Sequence, residues 1–275
     1  MTKKHSLLED QPNSDLDQES QIQETSIDSG TTDEQRIKTV HITLQGKGGI
    51  GKSFVSVMLA QYLKQHDSIV LCLDTDPVNA TFSSFPGLCV RPIALLEDNV
   101  IDDRRFDEMM ELILQADCDV VVDNGAASYV PLSAYLIDNE AFEVIRNAGK
   151  HVIVHSVIAG GLAQANTISD FATLASQLPD GVDIVVWLNE YLGEIEADGK
   201  SFQEMKGYLD NQHKVKAIIE LPKRTENTYG KDIGTMLKRH LTFDEALASN
   251  TFFLMSKQRI KIVQRSIYDQ LEEAI

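Results

Sequence analysis

Residues 45–53 read Gln-Gly-Lys-Gly-Gly-Ile-Gly-Lys-Ser, and Gly46, Gly51, Lys52 and Ser53 fit the spacing G-x-x-x-x-G-K-[ST]. That spacing suits one kind of chemistry, the holding of phosphate. Glycines let successive backbone N–H groups converge on phosphate oxygens, and the N-terminus of a following helix adds positive potential. Lys52 can then reach the outer phosphates and the Ser53 hydroxyl can hold Mg²⁺. Val40, Ile42 and Leu44 make an apolar run before the loop, and Phe54, Val55, Val57, Met58, Leu59, Tyr62 and Leu63 make a helix-like run after it. A glycine-rich turn without phosphate chemistry requires neither. The cradle expected from sequence is Gly46, Gly48, Gly49, Ile50, Gly51, Lys52, Ser53 and Phe54.

Three carboxylates stand where such a cradle needs them. Asp74 and Asp76 follow the apolar residues 68–73, and Asp123 follows Val120-Val121-Val122. Asp123 has the position of a Walker B acid that orients Mg²⁺-bound water, although a strand-end Asp also caps turns. Asp74 can hold a second water of the Mg²⁺ shell. Asp76 can position the water that attacks a γ-phosphate, because phosphoryl transfer chiefly requires positioning and charge neutralisation. The competing reading of Asp76 is a simple Asp-Pro turn. Asn124-Gly125-Ala126-Ala127 follows Asp123, and the Gly125 N–H is the group there that can meet the γ-phosphate.

From residue 37 onward strands alternate with helices, which predicts parallel βαβ units in a three-layer, doubly wound α/β fold. Strands are expected over 68–73, 118–123, 151–158, 182–188 and 215–221. Helices are expected over 102–116, 131–147, 163–177 and 202–209 and over most of the chain after residue 229. Open α/β sheets put ligands at strand carboxyl ends, so this arrangement alone gathers the loop and Asp74, Asp76 and Asp123 around one nucleotide.

Composition narrows the function classes. A formal charge of −17 argues against a protein that coats nucleic acid with its whole surface. Residues 1–36 carry a net −6 with few large apolar side chains, and read as a disordered acidic extension to a single domain over 37–275. The remaining charge is uneven, with a net +2 over residues 223–275. There the basic run from Lys257 to Arg265 carries an apolar stripe of Ile260, Val263, Ile267 and Leu271. Three readings of it stay open: packing on the parent domain, non-specific DNA binding, and attachment to a membrane surface, which Glu272 and Glu273 weaken. No apolar run approaches the length of a membrane span and no signal-peptide core is visible, so a cytoplasmic protein is expected. Cys72, Cys89 and Cys118 are scattered and read as buried, reduced thiols. His151 and His155 lie too far apart along a strand to share a metal and are assigned structural roles.

Lys47 sharpens the picture. The stretch Lys47-Gly48-Gly49-Ile50-Gly51-Lys52-Ser53 resembles the deviant Walker A motif of the ParA/MinD family of P-loop ATPases. Asp74-Thr75-Asp76-Pro77-Val78-Asn79-Ala80-Thr81 is similar to that family's switch I, and Asp123 matches its Walker B acid. The resemblance implies that Lys47 acts across a nucleotide-sandwich homodimer, much as an arginine finger acts in trans, with ATP and Mg²⁺ as cofactors. The usual Thr-Pro-Pro after the Walker B acid is replaced by Asn-Gly-Ala-Ala. Further runs, Val186-Trp187-Leu188-Asn189-Glu190-Tyr191 and Leu241-Thr242-Phe243-Asp244-Glu245-Ala246 among them, extend the resemblance over about residues 38–250. They look like TraL-type conjugal-transfer ATPases of mobile plasmids, with StbB-type plasmid stability proteins next.

That implies a weak ATPase acting as a dimeric switch, with conjugation or plasmid-partition proteins as partners. ATP is favoured because no guanine-reading N-K-x-D or T-K-x-D run occurs. Asn189 is either a purine contact or a turn residue. The chief alternative is a P-loop small-molecule kinase or ATP-dependent amidoligase, for which no acceptor-site signature is visible. An iron–sulfur reductase needs a cysteine soon after the Walker B strand, and residues 124–150 contain none. A nucleotide-binding scaffold that barely turns over is kept alive by Asn124-Gly125.

Overall fold

The computed structural model describes residues 36–67, 69–98 and 100–275. Apart from Arg36, the acidic extension lies outside the described residues. Seven strands form one sheet: β1 (Thr39–Thr43), β2 (Val70–Asp74), β3 (Arg91–Pro92), β4 (Asp119–Asp123), β5 (His151–Ala159), β6 (Asp183–Asn189) and β7 (Val215–Leu221). Their spatial order is β7-β6-β5-β1-β4-β2-β3, and every neighbouring pair is parallel. The helices are α1 (Lys52–His66), α2 (Arg105–Gln115), α3 (Tyr129–Asp138), α4 (Ala141–Asn147), α5 (Gln164–Gln177), α6 (Lys206–Leu209), α7 (Lys231–Lys238), α8 (Phe243–Ala248) and α9 (Leu254–Ala274).

Alternation along the strands builds two cores from one sheet, because successive side chains point to opposite faces. Val40, Ile42, Val120 and Val122 pack with Phe106, Leu132, Phe142 and Phe171 from α2 to α5. Val121, Ile153, Val185 and Trp187 pack with Leu59, Phe243 and Ile267 from α1, α8 and α9. Both faces being covered, the strands read as continuous apolar runs rather than alternating ones. The expected three-layer, mostly parallel fold is therefore what forms.

The apolar stripe of α9 goes into the second core, where Ile260, Val263, Ile267 and Leu271 are buried. Each such side chain is worth about 1.5–3 kcal/mol of burial. Arg259 of the basic run pairs with Asp232 at 2.6 Å, while Lys261 and Arg265 stay exposed. Packing on the parent domain thus accounts for the stripe.

Several local expectations are corrected. Residues 131–147 were expected as one helix, yet α3 and α4 are separate. Glu140 between them takes a left-handed φ of 50°, and the Asn139 side chain donates to Tyr135 O, closing α3. Cys72 and Cys118 are buried as expected, but Cys89 is exposed at the left-handed end of a short 3₁₀ turn. The two-residue strand β3 and two small ribbons, Leu96–Glu97 with Val100–Ile101 and Glu196–Ala197 with Lys200–Ser201, carry too little periodicity to have been read.

His151 and His155 are structural, and the reason is specific. His151 pairs with Asp183 at 3.1 Å. The Trp187 indole donates to His155 Nδ1 at 3.0 Å, and an indole nitrogen can only donate. His155 therefore carries its proton on Nε2 and passes it to His41 Nδ1, 3.0 Å away. Burial, with His41 beside it, pulls the His155 pKa well below the ordinary 6.5. A histidine depressed in the fold contributes stability above its unfolded pKa, and that contribution is lost as pH falls below it. Stability should decline below about pH 6.5 by up to ~1.4 kcal/mol per pH unit from this group. In denaturant titrations at pH 7.5 and 5.5, His155→Gln should be less stable than the parent at the higher pH and lose less on acidification. An unchanged slope refutes the neutral assignment.

Candidate nucleotide-binding site

β1 runs between β5 and β4, and the chain leaves it first toward β2 and later toward β5, so the strand order reverses about β1. A crevice opens at such a point, beyond the strand carboxyl ends. Register places the acids there. Thr43, the last residue of β1, is the lateral partner of Asp123, and Asp123 is the partner of Asp74. Three parallel strands thus deliver one hydroxyl and two carboxylates side by side.

The glycine-rich loop leaves β1 and enters α1 through Gly51, whose φ of 104° is left-handed. A Cβ on Gly51 would also lie 2.9 Å from Asn189 Nδ2. That amide donates to Ile50 O at 2.8 Å, and its Oδ1 accepts from Tyr191 N at 3.1 Å. Asn189 is therefore a turn residue and a clamp on the loop at once. On the other flank Gln45 is fully buried, donating to Asp170 Oδ2 at 3.0 Å and accepting from Ser156 Oγ at 2.8 Å. Gly46 leaves room for the Tyr129 ring, which a Cβ would meet at 3.0 Å.

The two lysines differ. Lys52 is buried and donates to Lys47 O at 2.8 Å. Burial pulls its ammonium below the usual lysine range, opposed by Asp123, Asp76 and Asp170. The Lys47 side chain is exposed, with no ion pair or hydrogen bond among the described residues.

Asp123 is fully buried. Its Oδ1 accepts from Ser56 Oγ at 2.8 Å, and Ser56 Oγ also lies 2.5 Å from Thr43 Oγ1. Its Oδ2 receives no hydrogen bond among the described residues, although Ser53 is close enough to favour the charged form. Burial pushes the carboxyl up to about 7, against the Ser53 and Ser56 hydroxyls. Asp74 is also buried and raised by burial, but both its oxygens are engaged. Oδ1 accepts from Asp76 N at 3.0 Å, and Oδ2 accepts from Ser83 N at 2.9 Å and Ser83 Oγ at 2.8 Å. It ties down the loop that follows β2. Asp76 Oδ1 accepts from Val78 N and Asn79 N, both at 2.9 Å, so the Asp-Pro turn read from sequence is present. The carboxylate nonetheless lies directly over Gly125, where a Cβ would come within 2.4 Å of Asp76 Cγ.

Of these groups, Lys52, Ser53 and Asp76 line a cavity of about 550 Å³, together with Gly48, Asn79 and Ala126. A second, more apolar cavity of about 320 Å³ begins at Gly49, Ile50 and Gly51 and is walled by Phe54, Leu221, Pro222, Tyr229, Ile233 and Leu237. Arg224 stands 5.4 Å above the Tyr229 ring. One polar and one apolar chamber meet at the loop.

A family model for the CobQ/CobB/MinD/ParA nucleotide binding domain matches residues 42–240. The chain belongs to this family. Two Escherichia coli proteins named TraL are 47% and 46% identical to it over 235 residues, 86% of this chain and 98% of each relative. Among solved structures, MinD from Aquifex aeolicus is 15% identical, with 86% of this chain and 98% of that chain covered at a TM-score of 0.46. A putative plasmid partition protein from Borrelia burgdorferi bound to AMPPNP is also 15% identical, covering 87% and 100% at 0.47. The expected ParA/MinD membership and TraL likeness are both borne out.

Within this family domain, sequence reasoning missed Gln45, Ser56, Thr75 and Ser128, whose polar groups are buried around the loop and strand ends. Gln45 and Thr75 lie within stretches read from the sequence and Ser56 and Ser128 outside them, but only fold contact reveals the buried partners of each. Mg²⁺ fits the oxygen donors present: a buried Asp123 Oδ2 without a partner among the described residues, and the nearby Ser53 hydroxyl. One consequence is measurable without nucleotide. A carboxyl whose folded pKa is raised from 3.8 to about 7 contributes stability that is fully present below 3.8 and is lost progressively as pH rises to about 7. Asp123→Asn should therefore raise the unfolding free energy, measured by denaturant titration, at pH 8 by on the order of a few kcal/mol, by less at pH 5, and hardly at all near the unfolded carboxyl pKa of 3.8. Equal destabilisation at both pH values contradicts the assignment.

Proposed function

We propose that this chain binds ATP with Mg²⁺, closes as a homodimer around it and hydrolyses it slowly, forming a two-state switch for plasmid conjugal transfer or maintenance. The observation that carries this reading is the contrast between its lysines. Lys52 is buried among Asp123, Asp76 and Asp170, whereas Lys47, on the same loop, is exposed without a partner among the described residues. One lysine serves the phosphates of its own chain, and the other is available to a facing copy. The likeness to the TraL proteins supports the plasmid setting.

In this account the loop N–H groups of Gly48 to Ser53 hold the phosphates, and Lys52 neutralises their outer charge. Ser53 and Asp123, with Asp74 through water, would hold Mg²⁺. Held there, Mg²⁺ would neutralise charge on the transferring phosphoryl group. Asp76, set over Gly125, orients the attacking water, and the Gly125 N–H faces the γ-phosphate. The base enters the apolar chamber beside Phe54, with Asn189 at its rim. The exposed Lys261 and Arg265 offer a small basic surface for non-specific DNA.

The test is ATP-dependent self-association and phosphate release. The parent should dimerise with ATP and Mg²⁺ and turn over slowly. Lys47→Ala should bind ATP but fail to dimerise; if it dimerises as the parent does, the signature-lysine role fails. Asp76→Ala should retain binding and lose hydrolysis, whereas lost binding points to a metal or folding role. Gly125→Ala, which displaces Asp76, should cut hydrolysis roughly 10²-fold with ATP affinity nearly unchanged.

A further inference from the structure

The segment after Asp123 is where the chain departs from Thr-Pro-Pro, and its side chains make a compact polar knot. Asn124, Thr75 and Ser128 are all buried. Ser128 Oγ lies 2.8 Å from Thr75 O, 2.6 Å from Asn124 Oδ1 and 3.3 Å from Gly125 O. Thr75 Oγ1 lies 3.0 Å from Asp123 O and 3.3 Å from Asn124 Oδ1. Two hydroxyl protons cannot serve four acceptors. With Oδ1 toward the hydroxyls, moreover, the buried Asn124 Nδ2 has no partner among the described residues. Turning the amide end for end resolves the competition for hydroxyl protons, and the amide oxygen then takes the position without a partner among the described residues. Its Nδ2 then donates to both hydroxyl oxygens, and Ser128 and Thr75 pass their protons to Thr75 O and Asp123 O.

The knot joins two loops that flank the phosphate cavity. Thr75 N also donates to Asp123 O at 2.9 Å, and the next residue is Asp76, whose carboxylate rests over Gly125. Ser128 stands just before Tyr129, the first residue of α3 and the ring that covers Gly46. We propose that Asn124 and Ser128 are positioning residues that latch the segment beginning at Thr75 to the segment following Asp123, so that the two move as one body and carry Asp76 with them. The latch does the stiffening that prolines would otherwise do after the strand-end acid. It deepens the switch reading above, on which only its kinetic consequence rests.

Amide hydrogen exchange by NMR on the nucleotide-free full chain tests the latch directly. In Ser128→Ala, and again in Asn124→Ala, the Thr75 and Asp76 amides should exchange about tenfold faster or more, with Val154 and Val186 in the central strands unchanged. Ser128→Thr, which keeps the hydroxyl, should stay within about twofold of the parent. Unchanged exchange at Thr75 and Asp76 in the two alanine variants overturns the proposal. So does equal acceleration throughout the sheet, which marks general destabilisation. With ATP, Ser128→Ala should lower kcat about tenfold and leave KM within about twofold, and Ser128→Thr should recover it; a loss in KM alone also overturns the positioning role. Absent turnover in the parent rejects the switch reading, while the exchange result still decides the latch.

Discussion

The register of three parallel strand ends governs this molecule. Because Thr43, Asp123 and Asp74 are lateral partners, a buried carboxylate is flanked by a hydroxyl and a second carboxylate before any loop is considered. An ionised acid in such a place is costly unless it is hydrogen-bonded or paired. Ser56 supplies one bond from α1, and the Lys52 charge lies near. Helix α1, the loop and the sheet are thereby held to one another by the needs of a single side chain.

The same constraint explains why so many polar groups are buried around the loop and the strand ends. Gln45, Ser156 and Asp170 fix the start of the loop, Asn189 fixes its end, and Asn124, Thr75 and Ser128 fix the segments beside it. Backbone at strand ends must find partners once water is excluded, and short polar side chains provide them. The result is a site whose supporting shell is packed into the sheet rather than borne on free loops, as preorganised binding requires.

Much was legible because chemistry and periodicity are local. The loop spacing, the strand-end position of Asp74, Asp76 and Asp123, and the βα alternation are each written within a few residues, and each survives in the structure. Break points were harder. Glu140 interrupts what reads as one helix, and Cys89 turns outward, because a left-handed residue other than glycine leaves little trace in composition. Asn189 shows the opposite case: a turn reading was available, but its grip on Ile50 O spans 139 residues and has no sequence signature.

By itself, then, the sequence determined the fold class, the phosphate loop and the family, since these rest on short-range pattern. Only the tertiary structure decided which oxygens are occupied and which are left open. Asp74 is bound to its own loop, Asp123 Oδ2 has no hydrogen bond among the described residues, and Lys52 turns inward while Lys47 stays out. Those differences arise from burial and from contacts between residues far apart in the chain, where identical residue types are given different electrostatic surroundings.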